Sequence, residues 1–191
     1  LINPETMTTV LTVHQDVLDT LMRETTVVPF QFGTILKDEE AAADCLKSSY
    51  AKYEELLKKF KDRQEWGVRV FADLKKSRAS QASQKSSSGT AYLLQKKQEG
   101  EAENATNEKL TLFSGEILNS LKELAFEYRV TESAQRFSEK GELLISVFAF
   151  LLDKAKVRKF TQKLVSLQKK YQEFGLRLTS SGPWPAYNFV G

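Results

Sequence analysis

The sequence predicts an α+β fold. Three observations carry that expectation. Several segments repeat apolar residues at spacings of three and four, which is the helical period. Others alternate apolar and polar residues, or run apolar over strand length. A serine-rich stretch with no apolar face splits the chain of 191 residues into two such mixed units.

The first helix is expected over residues 4–22. Pro4 suits the first helical position, with Asn3 as cap. Met7, Val10, Leu11, His14, Val17, Leu18, Leu21 and Met22 fall on one face. Thr25 to Phe32 is β-branched and aromatic and reads as a strand, with Pro29 placing it at an edge or bulge and Gly33 ending it. Asp38 then caps a second helix whose stripe is Ala43, Leu46, Tyr50, Tyr53, Leu57 and Phe60. Trp66 to Ala72 follows as a strand, Val68 and Val70 alternating with Arg69 and Phe71.

From Ser77 to Gly89 no apolar face can be drawn, so this stretch reads as a mobile, removable linker. A long helix opens at Tyr92 and ends on the stripe Leu110, Phe113, Ile117, Leu121 and Leu124. Phe126 to Val130 alternates as a half-buried strand. Leu143 to Leu152 is nearly all apolar and suits a central strand covered on both faces. Phe160, Leu164, Leu167, Tyr171 and Phe174 form another helical stripe, closed by Gly175; Leu176 to Thr179 is a short strand. The expected organisation is residues 1–76, a linker over 77–90, and an α+β unit over 91–191 with long helices and a small antiparallel sheet.

Composition narrows the function. Hydrophobic residues make up 41% and charged residues 28%, a balance that supports a packed core. The formal net charge is only +3. Bases are interleaved with acids, as in Lys58 to Glu65, so no nucleic-acid partner is expected. No apolar run reaches the roughly 18 residues of a membrane span, and no signal peptide is apparent, so neither membrane nor export is expected. Cys45 stands alone, which favours a reducing cytoplasm.

Catalytic chemistry is hard to place. The single histidine, His14, lies on the apolar stripe of the first helix, where a core or boundary residue with one hydrogen bond is expected. Cys45 reads as a small buried hydrophobe. Neither phosphate-loop nor dinucleotide glycine spacing occurs, and Glu39-Glu40 and Glu54-Glu55 read as solvated helix surface. The expectation is no enzyme, no metal, no cofactor and no small-molecule substrate.

Three segments instead combine aromatics with Gly or Pro: Val27 to Thr34, Glu65 to Val70, and Gly182 to Val190. In the last, two prolines flank Trp184 and stiffen the backbone, so little entropy is lost on docking. Val27 to Thr34 resembles the "vlPfrFGtv" signature of the gas vesicle GvpF/GvpL family. Glu65 to Val70 resembles its "Ewgvkv" strand, and Ser88 to Leu93 its "GraYL" segment. Phe148 to Asp153 resembles "aFLVd", and Gly182 to Val190 is similar to the "GPWPPYsFv" ending, with Ala186 in place of a second proline. The family's opening "YlYgiv"-like strands have no counterpart in this sequence.

The resemblance implies two domains, the first a modified ferredoxin-like domain lacking its opening strands. It implies a minor gas vesicle component, cytoplasmic and vesicle-associated, that binds the hydrophobic shell protein GvpA and/or other accessory Gvp proteins. A shell subunit with a large apolar face aggregates unless that face is covered, so such a protein would cover it transiently or offer a template at the growing shell. The protein-binding candidates are Pro29, Phe30, Phe32, Gly33, Trp66, Gly182, Pro183, Trp184, Pro185, Tyr187 and Phe189. The tail is expected both to close the fold and to contact a partner. The competing reading is a coiled-coil scaffold or adaptor unrelated to gas vesicles, resting on the stripe from Ala43 to Phe60. That stripe is shorter than the three or four heptads a coiled coil needs.

Overall fold

The computed structural model describes residues 3–79, 92–131 and 136–191. Two long strands anchor it. β1 (Arg63–Ala72) and β4 (Leu143–Asp153) pair antiparallel along their whole length, from Arg63 opposite Asp153 to Ala72 opposite Leu143. β5 (Leu176–Trp184) pairs with the other side of β1, and β2 (Glu127–Thr131) with the other side of β4. The order is β2-β4-β1-β5, all antiparallel, with the short β3 (Arg136–Phe137) joining the start of β4. The fold is thus α+β, built on a small antiparallel sheet. β1 comes from the segment before the serine-rich stretch, and its neighbours come from the segment after it. Both sequence segments therefore build one sheet.

The period-two rule explains how β1 serves two cores. Val68, Val70 and Ala72 point to one face, where α5 (Tyr92–Lys122) and α6 (Val157–Tyr171) lie. There Phe148, Phe150 and Leu152 of β4 meet Leu110, Ile117 and Leu121 of α5 and Phe160, Leu164, Leu167 and Tyr171 of α6. Burying each such side chain contributes about 1.5–3 kcal/mol, which makes this the principal core. The buried Tyr171 hydroxyl donates to Glu116 across the two helices, so its polar tip is satisfied. The opposite face of β4 presents Ala149 and Leu151 to a second, smaller core. As expected, β4 is covered on both sides.

Three local expectations change. Thr25 to Phe32 forms no strand. Pro29 is buried and has no N–H to give a ladder, and the segment packs as irregular chain with Val28 against the second core. The helix from Asp38 breaks at Ser49 into α2 (Glu39–Ser48) and α3 (Tyr50–Phe60). Asp38 does cap α2, accepting from the Ala41 N–H at 2.8 Å. The break turns the register, so α3 buries Leu56 and Phe60, while Leu46, Tyr50 and Leu57 of the expected stripe stay exposed.

Ser77 does not belong to a linker. It lies in α4 (Leu74–Ala79), begun by Asp73, whose carboxylate accepts from the Lys75 and Lys76 N–H groups. Its buried hydroxyl donates to the Phe174 carbonyl at 2.8 Å. The remainder of that stretch, through residue 91, lies outside the described residues. The expected stop at Gly175 is present: the residue has φ +81, and a Cβ there would sit 2.9 Å from the Asp73 carbonyl oxygen.

Candidate protein-binding surface

The tail begins inside the sheet. β5 is an edge strand, so Pro183 takes part without breaking a ladder, and Trp184 pairs with Glu65. The Trp184 indole N–H donates to Ser181 Oγ at 3.1 Å. Past Trp184 the chain folds over the second face. Ala186 and Phe189 pack with Leu56, Phe60, Ala149 and Leu151, and Phe189 is only 1% exposed. Pro185 is fully buried.

Glu65 pins this arrangement. Its carboxylate accepts from the Asn188 backbone N–H at 2.9 Å and from Asn188 Nδ2 at 2.5 Å. Burial raises its pKa above the ordinary carboxylate value, and the two Asn188 hydrogen bonds oppose that rise. A charged rim closes the far side: Lys59 Nζ lies 2.6 Å from Glu127 and donates to the Phe189 carbonyl.

The first helix, α1 (Pro4–Glu24), rests on the tail. His14 Nε2 lies 3.1 Å from the Tyr187 hydroxyl, and the His14 ring meets Phe32 edge-on at 5.3 Å. This is the boundary histidine with one hydrogen bond that its position on the stripe predicts. Most of that stripe has no cover. Leu18 is buried, whereas Val10, Leu11, Val17 and Leu21 are between 43% and 53% exposed, and Val13, outside the expected stripe, is 57% exposed. Beyond α1, Phe30 (41% exposed) meets Tyr53 edge-on, and Phe32 is 39% exposed. Gly33, at φ +84, serves a turn closed by Thr34, whose N–H donates to the Gln31 carbonyl at 3.1 Å.

The three aromatic segments therefore meet. Val28 shares the second core with Ala186 and Phe189, Glu65 holds Asn188, and Trp66 lies beneath Gly182. They do not form one exposed site. Phe30, Phe32, Gly33 and Pro183 face outward; Pro29, Pro185 and Phe189 are buried; Trp66, Gly182, Trp184 and Tyr187 are half-buried. An open cleft of about 440 Å³ separates the tail from the end of α1, walled by Met22, Arg23, Phe60, Lys154, Pro183 and Trp184. In the exposed run Val10, Val13, Val17 and Leu21, periodicity reads Val10, Val17 and Leu21 as core, because they sit on a stripe at helical spacing, and leaves Val13 off that stripe. Among the described residues no His, Cys, Asp and Glu group gathers as a metal site, and no helix is long and apolar enough to cross a membrane.

The family model described as gas vesicle synthesis protein GvpL/GvpF matches residues 3–191. The chain belongs to the GvpL/GvpF family. Gas vesicle protein L of Streptomyces sp. (strain CB03234) is 23% identical over 184 residues, covering 93% of this chain and 67% of that protein. The crystal structure of gas vesicle protein GvpF from Anabaena sp. PCC7120 aligns with a TM-score of 0.75 at 23% identity, over 95% of this chain and 74% of that one. GvpF from Microcystis aeruginosa aligns with a TM-score of 0.72 at 18% identity, over 100% and 80%. At such identities the two structures establish a shared fold. Membership in the GvpL/GvpF family makes this chain a gas vesicle accessory protein.

Proposed function

We propose that this GvpL/GvpF protein serves gas vesicle assembly by binding the shell protein GvpA, together with other accessory Gvp proteins, and covering apolar surface until it is built into the shell. On this reading it acts inside the cell at the forming vesicle, without catalysis or cofactor. The observation that carries the proposal is the uncovered apolar run on α1, Val10, Val13, Val17 and Leu21, continued by the half-exposed Phe30 and Phe32. Contiguous apolar surface on a soluble protein marks a place where a partner docks. A shell subunit with a large apolar face aggregates in water unless that face is covered. An amphipathic helix lying on a rigid body offers such a cover reversibly.

Of the remaining candidates, Pro183 and Trp184 form a wall of the neighbouring cleft, which suits them to a lesser contact. The buried Pro29, Pro185 and Phe189 hold the surface in place. The test is pairwise binding against each protein encoded with this one for gas vesicle formation, using the wild type and Val10→Ser/Val13→Ser/Val17→Ser. Retention of GvpA by the wild type, its loss in the variant and an unchanged melting temperature support the proposal. Undiminished binding by a folded variant overturns it.

A further inference from the structure

The sheet has two outer edges, and their backbones are covered differently. Along β5, the Gln168 side chain of α6 caps the strand: its Nε2 donates to the Leu176 carbonyl at 3.1 Å, and its Oε1 accepts from the Leu178 N–H at 2.6 Å. Pro183, near the end of β5, has no N–H to offer. β2, at the other end of the strand order, has no such cap among the described residues. The one side chain that approaches its backbone there is its own Arg129, whose guanidinium lies 3.4 Å from the Tyr128 carbonyl oxygen. An edge of unpaired N–H and C=O groups is a template for a further strand.

The side chains of β2 define what that strand would carry. Tyr128 and Val130 stand opposite Phe150 and Phe148 of β4 and share their face, yet both are exposed. Lys122, at the end of α5, lies over the Tyr128 ring at 5.9 Å. Glu127 and Arg129 point to the other face, where Lys59 Nζ is 2.6 Å from Glu127 and Arg129 lies over the Phe189 ring at 5.6 Å. Lys59, Lys122 and Arg129 thus border this edge with one carboxylate, Glu127, which Lys59 and Arg129 share. The nearby Arg63 is occupied by Asp153. Glu123 does not restore the balance, because it lines a cleft with Lys159 and Lys163 on the α6 side.

We propose that the outer edge of β2 takes up an extended segment of a partner protein that alternates apolar with acidic residues, adding a strand to the sheet. The segment's backbone completes the open ladder, and its apolar side chains cover Tyr128 and Val130. Its carboxylates meet Arg129, with Lys59 and Lys122 adding to the attraction. A second copy of this chain is disfavoured as the occupant, because pairing β2 with β2 brings two sets of the same cationic excess together. The inference rests on the sheet edge and does not depend on shell-protein binding through α1.

The test uses the full chain and capped synthetic peptides of about seven residues that alternate valine with glutamate or valine with lysine. The wild type should bind the glutamate peptide about tenfold more tightly than the lysine peptide at about 0.05 M salt, and the preference should shrink at about 0.5 M. Hydrogen exchange should show new protection at β2 amides and none at β5. A glutamate peptide N-methylated along one edge loses the ladder donors and should bind about tenfold more weakly. Lys122→Glu/Arg129→Glu should reverse the preference at an unchanged melting temperature; if that variant does not fold, Arg129→Gln should reduce the preference. Equal binding of the two peptides, undiminished binding of the N-methylated one, or β2 amides unprotected at saturating glutamate peptide overturns the proposal. So does a dimer formed through β2 in the absence of peptide.

Discussion

A Cβ on Gly182 would lie 2.9 Å from the Glu65 carbonyl oxygen and 3.3 Å from Trp66 Cα, with φ at +138. Neither backbone atom can move without opening β1, so Gly182→Ala should cost about 1–3 kcal/mol in chemical denaturation. Gly67 is a control: its added Cβ would meet the movable Ser181 Oγ at 3.1 Å, so Gly67→Ala should cost less. Glu65 gives a pH signature. Its pKa is raised in the native state, so the native protein holds this proton more tightly than the unfolded chain does. The stability it contributes is complete below the ordinary carboxylate value and is lost as pH rises through the native value. Glu65→Gln should flatten that fall in denaturation midpoint, at the cost of one Asn188 hydrogen bond. Glu142 runs the other way: its hydrogen bonds from Arg177 lower its pKa, so its contribution is present at neutral pH and lost on acidification. A midpoint curve for Glu65→Gln superimposable on wild type would show that Glu65 is not held in this buried state.

At the scale of elements, α1 is lightly held. It buries Leu18 and is tied to the body through His14, Tyr187 and Phe32. Tyr187→Phe removes a single hydrogen bond and should cost about 0.5–1.5 kcal/mol. Hydrogen exchange should show the effect concentrated in α1 amides, with β1 and β4 unchanged; uniform loss of protection would mean that α1 and the sheet open together. The tail behaves differently. Phe189 fills the second core, and Phe189→Ala should lower stability by about 3–5 kcal/mol. Trp184→Ala should lower the melting temperature and vesicle formation together, because the half-buried indole both hydrogen-bonds Ser181 and walls the cleft.

For the molecule as a whole, the central position of β1 is decisive. Val68 and Val70 fill the principal core between strands that come some 80–110 residues later in the chain. A fragment of residues 91–191 leaves a gap between β4 and β5 with two unpaired edges, and a fragment of residues 1–76 leaves Val68 and Val70 without a core. Neither alone should give a cooperative melting transition, whereas mixing the two should restore one, readable by far-ultraviolet circular dichroism. A cooperative transition from residues 91–191 alone would show that β1 is dispensable.

Periodicity by itself determined most elements: the helix starting at Pro4, the alternation of β1, the apolar β4, the α6 stripe and the Gly175 stop are all properties of neighbouring residues. Sequence also determined the family, through five motifs in order, the Gly182 to Val190 ending the most specific of them. Tertiary structure decided what distant partners control. Whether Thr25 to Phe32 becomes a strand depends on a neighbouring strand, and Pro29 is met by a core instead. Whether Leu57 or Leu56 points inward depends on the turn at Ser49. Whether the α1 stripe is core or open surface depends on how much of the body reaches it, and only Leu18 is buried by it. The spacing of Val10, Val13, Val17 and Leu21 is the same whether water or protein lies against them, so only the packed molecule shows which it is.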